Sequence, residues 1–304
     1  MKKLIFILGA DFSGTTLLDL SLGSSTDAAS LGEIASFVYP TATHHLSALC
    51  SCQQNCGLWN RKKIERSNPY EHFYDFHKTD TLVDSSKHPA WIEKQTILAR
   101  KNGIDVYLVL IWKDAVEYAE SCANRGNAYG WDAKWLRYHR AVAQLDAPIY
   151  TVALKSLRND PTRTLTDICR FVDIQFSAEM ENIASHVHHI VFGSTTARLS
   201  LHKQGSATWH REASHSNRSD IQGIISEKPA APSKKNLNSI KTLQDKLTPD
   251  GLKLPKILPG RSYLYQSILR KKLERATYLS GLDPKLIRQP FRFIARYRKT
   301  LLQK

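Results

Sequence analysis

One stretch near the amino terminus constrains the fold more than any other. Lys3 to Leu8 is a run that is apolar and partly β-branched from Leu4 on, closed by Gly9 and the turn Ala10-Asp11-Phe12-Ser13-Gly14. Thr15-Thr16-Leu17-Leu18-Asp19-Leu20 then has helical character. Strand, glycine loop and helix in this order aim backbone N–H groups and a helix N-terminus at an anion. The spacing from Gly9 to Thr16 is that of a nucleotide phosphate loop, G-x-x-x-x-G-x-[ST], but Thr15 stands where such loops carry lysine. That lysine spreads charge during phosphoryl transfer, so its loss weakens a kinase or NTPase reading. A tight turn without a ligand is the plain alternative.

The pattern recurs. Thr81–Val83 ends at Asp84, Val106–Ile111 at Trp112-Lys113-Asp114, and Ile149–Leu154 at Lys155-Ser156. Helix-like stretches follow at about 90–101, 115–124 and 161–171. Alternation of this kind predicts an α/β fold, three layers (α/β/α) around a parallel sheet, with polar functional residues at the carboxyl ends of the strands.

Charge divides the chain in two. Residues 1–227 hold 24 of the 43 Lys and Arg and 24 of the 28 Asp and Glu, so the whole net charge of +15 belongs to residues 228–304. A Pro/Ala/Ser/Lys stretch, EKPAAPSKK, marks the junction, which predicts a domain over 1–227 and a basic, helical C-terminal extension over 228–304 with helices near 262–280 and 284–302. No window holds the ~18 apolar residues of a membrane span. Leu4 to Leu8 is too short for a secretory leader and is expected to be a strand. The odd count of five cysteines then fits a reducing compartment. A cytoplasmic protein is expected, with attachment to the inner membrane face through its tail.

Ser13-Gly14-Thr15-Thr16-Leu17-Leu18 after a strand resembles the 5′-phosphosulfate loop of sulfotransferases that use 3′-phosphoadenosine 5′-phosphosulfate (PAPS). Three more segments resemble that family in the same order: Leu31-Gly32-Glu33, Val83-Asp84-Ser85-Ser86-Lys87, and Lys113-Asp114 with Ser121 eight residues later and Arg125 beyond. Asn159-Asp160-Pro161 with Leu165, Phe171 and Val172, and Gly193-Ser194-Thr195-Thr196-Ala197-Arg198 with Trp209, extend the likeness across roughly residues 3–212. Phe12, Lys113 and Val116 stand where the family has basic residue, arginine and arginine. Lysine for arginine keeps the charge but loses the two-pronged geometry.

The resemblance implies a sulfuryl transfer from PAPS to a hydroxyl of a carbohydrate, glycolipid or other small acceptor, without a metal. It places the donor's 5′-phosphate on Ser13, Gly14, Thr15 and Thr16, with Phe12 beside them in the donor site, and the 3′-phosphate on Lys113 and Ser121. Arg125 and Arg198 join as phosphate contacts, and Trp209 as a stacking partner for adenine. Such a transfer needs a base for the acceptor hydroxyl and positive charge on the leaving oxygen. The resemblance gives the first task to Glu33, with His88 as the rival, since histidine titrates near neutrality; Lys87 supplies the charge. A carboxylate at a helix start, a polar residue before Pro89 and a solvated lysine are the ordinary accounts of the three. A phosphotransferase, or a binding protein that keeps the sheet without turnover, are the alternative functions.

Two features fall outside that scheme. Cys50, Cys52 and Cys56, followed by Leu58-Trp59, invite a zinc reading but lack a fourth ligand unless His44 or His45 joins. A similar stretch in bacterial sulfotransferases suggests an acceptor-side loop with a disulfide, so no metal is expected. In the tail, Arg270-Lys271-Lys272 and residues 288–299 interleave cations with apolar side chains. That suits an anionic membrane surface, an acidic polysaccharide, an oligomer contact or a solvated helical face; nucleic acid is not the expected partner.

Overall fold

The structure, a computed structural model, describes residues 1–39, 50–52, 56–60, 62–65, 68–201 and 229–247. Five strands form one parallel sheet: β1 (Lys3–Leu8), β2 (Ala28–Ser30), β3 (Thr81–Asp84), β4 (Asp105–Trp112) and β5 (Ile149–Ala153), in the order β2-β3-β1-β4-β5. Two helices follow the first two strands, α1 (Thr15–Leu22) and α2 (Ile34–Val38), and α3 (Glu71–His77) precedes β3. Next come α4 (Pro89–Lys101), α5 (Ala115–Ala123), α6 (Trp131–Val142), α7 (Leu154–Asn159), α8 (Pro161–Val172), α9 (Thr195–Ser200) and α10 (Lys234–Leu247). The three-layer α/β/α arrangement expected from the alternating pattern is present.

The central strand shows how the layers arise. Leu4 to Leu8 is completely buried, as a parallel strand covered on both faces requires. Its side chains alternate: Leu4, Phe6 and Leu8 join the core beneath α4, α5, α6 and α10, while Ile5 and Ile7 join the core beneath α1, α7 and α8. Helix α8 illustrates the local signals. Asp160 caps it by accepting from the Arg163 N–H at 3.0 Å, Pro161 opens it, and Asp173 ends it in the left-handed region at φ 56°. Leu165, Ile168, Cys169 and Val172, spaced at three and four residues, form its buried stripe.

Strands β1, β3, β4 and β5 lie within a residue or so of their expected bounds, and β2 was not expected. Leu154, expected to close β5, instead opens α7. Beyond residue 227, α10 buries Ile240, Leu243 and Leu247 in the same core as α6. The Trp131 indole donates to the Ala230 carbonyl at 2.7 Å. The expected helices at 262–280 and 284–302 lie outside the described residues. Among the described residues no helix is long and apolar enough to cross a membrane.

Candidate functional site

The loop after β1 is shaped by its glycines. A Cβ on Gly9 would lie 2.5 Å from Thr15 Cγ2 and 2.8 Å from the Ile111 carbonyl oxygen. Gly14 takes φ 88°, and a Cβ there would lie 2.7 Å from Leu154. Phe12 is also left-handed, at φ 67°. Helix α1 starts with no side-chain cap, so its first N–H groups keep their donor capacity. Ser13, Thr15 and Thr16 are buried, and Ser13 Oγ has no hydrogen-bond partner among the described residues. A buried hydroxyl and a glycine cradle beside a bare helix start suit a phosphate, which accepts from all of them. Thr16 Oγ1 already accepts from the Ser194 N–H at 3.0 Å, and its own proton remains for a ligand.

At the end of β3, buried Asp84 organises the next loop. Its carboxylate accepts from Tyr70 (2.6 Å), the Trp91 indole (2.9 Å), the Ser86 N–H (2.7 Å) and the Ser86 hydroxyl. Burial pushes Asp84 up to about 6, against these hydrogen bonds. Ser86 Oγ in turn accepts from the Ala35 N–H at 2.9 Å, which fixes the start of α2 and Glu33 just before it. Gly32 takes φ 62°, and any Cβ there would strike the Phe192 carbonyl oxygen at 2.4 Å. The outcome is an ion pair: Lys87 Nζ lies 2.6 Å from Glu33 Oε1, each side chain about one-fifth exposed (20% and 21%). Lys87 itself is left-handed, at φ 61°. His88 is extended, as the residue before a proline must be, and its carbonyl accepts from the Ile92 N–H at 2.9 Å.

Sequence reasoning missed Tyr138. Its hydroxyl accepts from the Gly9 N–H at 2.8 Å and donates to the Lys87 carbonyl at 2.9 Å. One half-buried side chain on α6 thereby ties the first loop to the Glu33–Lys87 pair. No local signal points to it, because its partners lie 129 and 51 residues away.

The end of β4 gathers cations. Asp114 caps α5, accepting from the Glu117 N–H at 2.8 Å, and two helical turns on Ser121 faces back. Lys113 Nζ donates to Ser121 Oγ at 2.7 Å, and Arg125 donates to the Ser121 carbonyl at 2.8 Å. The Arg125 guanidinium lies 4.2 Å from the centroid of the Phe12 ring. Burial pushes Lys113 down to about 8; the nearby charges of Arg158 and Arg125 act the same way, and Glu117 opposes them. Arg158, on α7, is the second residue the sequence reading missed. Val116, where the family has a second arginine, is 66% exposed.

The structure therefore brings Phe12 and Arg125 together, Lys113 and Ser121 together, and Glu33 and Lys87 together. Arg198 lies four residues after Ser194, whose N–H donates to Thr16 Oγ1. On α9, its guanidinium is destabilised by burial and interacts favourably with Cys50. Trp209 lies outside the described residues. None of the five cysteines is in a disulfide.

Comparison with solved structures identifies the fold. The chain superposes on "Sulfotransferase Domain from the Curacin Biosynthetic Pathway" with a TM-score of 0.55 at 17% identity, covering 81% of this chain and 98% of that one. A second match, "Sulfotransferase Domain from the Synechococcus PCC 7002 Olefin Synthase", has a TM-score of 0.49 at 17% identity over 80% and 95% of the two chains. The fold assignment rests on the first. No protein-family profile matches the chain, and comparison with curated proteins returns no match.

Proposed function

We propose that this chain is a PAPS-dependent sulfotransferase acting on a hydroxyl of a carbohydrate, glycolipid or similar small acceptor. A fold does not fix a function, so the reading rests on the site. The observation that carries it is the stacking of Arg125 on Phe12. It joins a hydroxyl-lined phosphate loop without a cation of its own to a cationic cradle, making two anion sites on one continuous surface. A nucleotide with phosphates at both its 5′ and 3′ positions fits that pairing better than ATP, whose phosphates form a single chain and whose usual loop lysine is Thr15 here.

Ser13, Thr15, Thr16 and the N–H groups opening α1 would hold the 5′-phosphate; Lys113, Ser121 and Arg125 would hold the 3′-phosphate. When bound, the donor supplies the sulfuryl group and departs as the bisphosphate nucleotide. Glu33 accepts the proton of the acceptor hydroxyl as that oxygen becomes nucleophilic. Lys87, held against Glu33, offers positive charge to the oxygen that departs. Tyr138 and the Asp84–Ser86 network position these groups without touching substrate.

Calorimetry with 3′-phosphoadenosine 5′-phosphate, and transfer from labelled PAPS to a panel of glycans and glycolipids, test the proposal. Binding with 1:1 stoichiometry is expected. In Glu33→Gln the transfer rate should fall by a factor on the order of 10²–10⁴ with nucleotide binding within about twofold of wild type. No binding at millimolar nucleotide, or magnesium-dependent ATP hydrolysis instead, would overturn it.

A further inference from the structure

Cys50, Cys52 and Cys56 converge with a residue 133 positions further on. The three Sγ atoms and one ring nitrogen of His189 all lie within 4.8 Å of one another. His189 Nδ1 is 3.3 Å from Cys56 Sγ and 3.9 Å from Cys50 Sγ. A tetrahedral zinc with bonds of about 2.3 Å to sulfur and about 2.0 Å to nitrogen puts neighbouring ligand atoms roughly 3.5–3.8 Å apart. The cluster thus has nearly the spacing such an ion imposes. His189 supplies the fourth ligand that the cysteine spacing alone lacks.

The surrounding chain is built to hold this convergence. Ser51, between two of the thiols, donates its N–H to the Ile190 carbonyl (2.8 Å) and its hydroxyl to the His188 carbonyl (2.6 Å). It also accepts from the Ile190 N–H at 3.0 Å. The Trp59 indole donates to the His189 carbonyl at 2.9 Å. Four hydrogen bonds therefore bracket His189 and hold its backbone against the cysteine turn. Phe76 and His77 pack edge-on against the imidazole, with ring centroids 5.7 and 5.8 Å away, which limits its rotation. Ligand orientation by such outer contacts is what metal sites require.

We propose that Cys50, Cys52, Cys56 and His189 form a closed, structural zinc site. Three thiolates and an imidazole are the borderline-soft donors zinc prefers, and four protein ligands leave no open position for catalysis. Three thiolates around a divalent ion leave one net negative charge. The ion's work is positional. His189 begins the segment whose Phe192 carbonyl accepts from the Glu33 N–H at 3.3 Å and whose Ser194 N–H donates to Thr16. Zinc would thereby clamp the cysteine turn to the backbone that touches both the candidate base and the phosphate loop. The proposal stands independently of the sulfotransferase reading.

The test is metal content of the full chain purified under reducing conditions without added metal, by atomic emission. About one zinc per chain is expected. His189→Ala and Cys56→Ser should each lower metal affinity by about 10- to 100-fold or more, while Cys169→Ala, in the other core, keeps full occupancy. Because a ligand variant can fail to fold, wild-type protein stripped with chelator and titrated with cobalt(II) gives a second reading. A thiolate-to-cobalt charge-transfer band with tetrahedral visible bands, saturating at one equivalent, is expected. Protein that holds no zinc and gives no thiolate–cobalt band overturns the proposal, as does a Cys50, Cys52 or Cys56 disulfide persisting in reductant.

Discussion

At the end of β1 the molecule offers an anion backbone N–H groups, glycines and the hydroxyls of Ser13, Thr15 and Thr16, with no cation in the loop itself. At the end of β4 it offers Lys113, Ser121 and Arg125, with Arg158 nearby. The first region depends on a backbone shape that side chains cannot replace; the second depends on charge that one substitution removes. The two should therefore respond differently to mutation, to pH and to salt. Neutral donors contribute about 0.5–1.5 kcal/mol each, and hydrogen bonds to charged groups about 1.5–3.

Lys113→Ala gives the largest separation. It is expected to raise the Kd for 3′-phosphoadenosine 5′-phosphate roughly 10- to 150-fold, against about 2- to 12-fold for Ser13→Ala. The parent nucleotide lacking the 3′-phosphate should lose most of the Lys113 effect and keep that of Ser13. Calorimetry on both ligands measures this. Equal penalties for the two variants would break the division into a neutral and a charged region.

The division also explains what could be read from the chain alone. The first loop is contiguous, so its spacing displays it, and Lys113 and Ser121 stand two helical turns apart on a run that reads as strand and helix. Glu33 and Lys87 each follow a recognisable local pattern, although their 2.6 Å ion pair does not. Strand β2 was not legible: three residues, Ala28–Ser30, carry no periodicity. Tyr138, Arg158 and His189 were not legible either. Each acts on a partner that sheet topology brings close, and a lone tyrosine, arginine or histidine has no signature in its neighbours. In the cysteine stretch the sequence held three donors in view and offered only His44 or His45 as a fourth, so no metal was expected, because only nearby residues could be weighed.

Titration distinguishes the two regions as well. On α1, fully buried Asp19 accepts from the Ser85 hydroxyl at 2.9 Å, and burial pushes it up to about 8. The native state then keeps a proton that the unfolded chain releases from near pH 4 upward. Stability is lost as pH rises through this window, from the ordinary carboxylate value to about 8. Asp19→Asn should remove that loss, a gain of roughly 1–3 kcal/mol at pH 8 relative to pH 5, read from denaturation midpoints at the two pH values. A wild type and variant with parallel pH profiles would show that Asp19 ionises freely in the native protein.

Lys113 has the opposite sign and acts on binding. Its folded value of about 8 lies below that of an ordinary lysine, so raising the pH from 7 to 9 discharges it in the free protein. A 3′-phosphate beside it favours the protonated form. Affinity for the bisphosphate nucleotide should therefore fall about tenfold over that interval, with proton uptake on binding visible as a dependence of the calorimetric heat on buffer. Lys113→Arg, which stays charged, should flatten the profile. A pH-independent wild type would mean that bound and free protein hold this lysine equally protonated.

The smallest effect tests the contact that joins the two regions. Phe12, 39% exposed, carries Arg125 on its face, and an exposed cation–π pair is worth about 0.5–1 kcal/mol. Phe12→Leu keeps an apolar side chain and the same left-handed backbone demand at residue 12, but removes the ring. Nucleotide Kd should rise roughly 2- to 5-fold, while Phe12→Tyr, which keeps the π face, should match wild type. Because Arg125 belongs to the charged cradle, the Leu penalty should shrink when the ligand lacks its 3′-phosphate. If the penalty is the same for both nucleotides, Phe12 serves the first loop alone and the two anion sites are energetically separate.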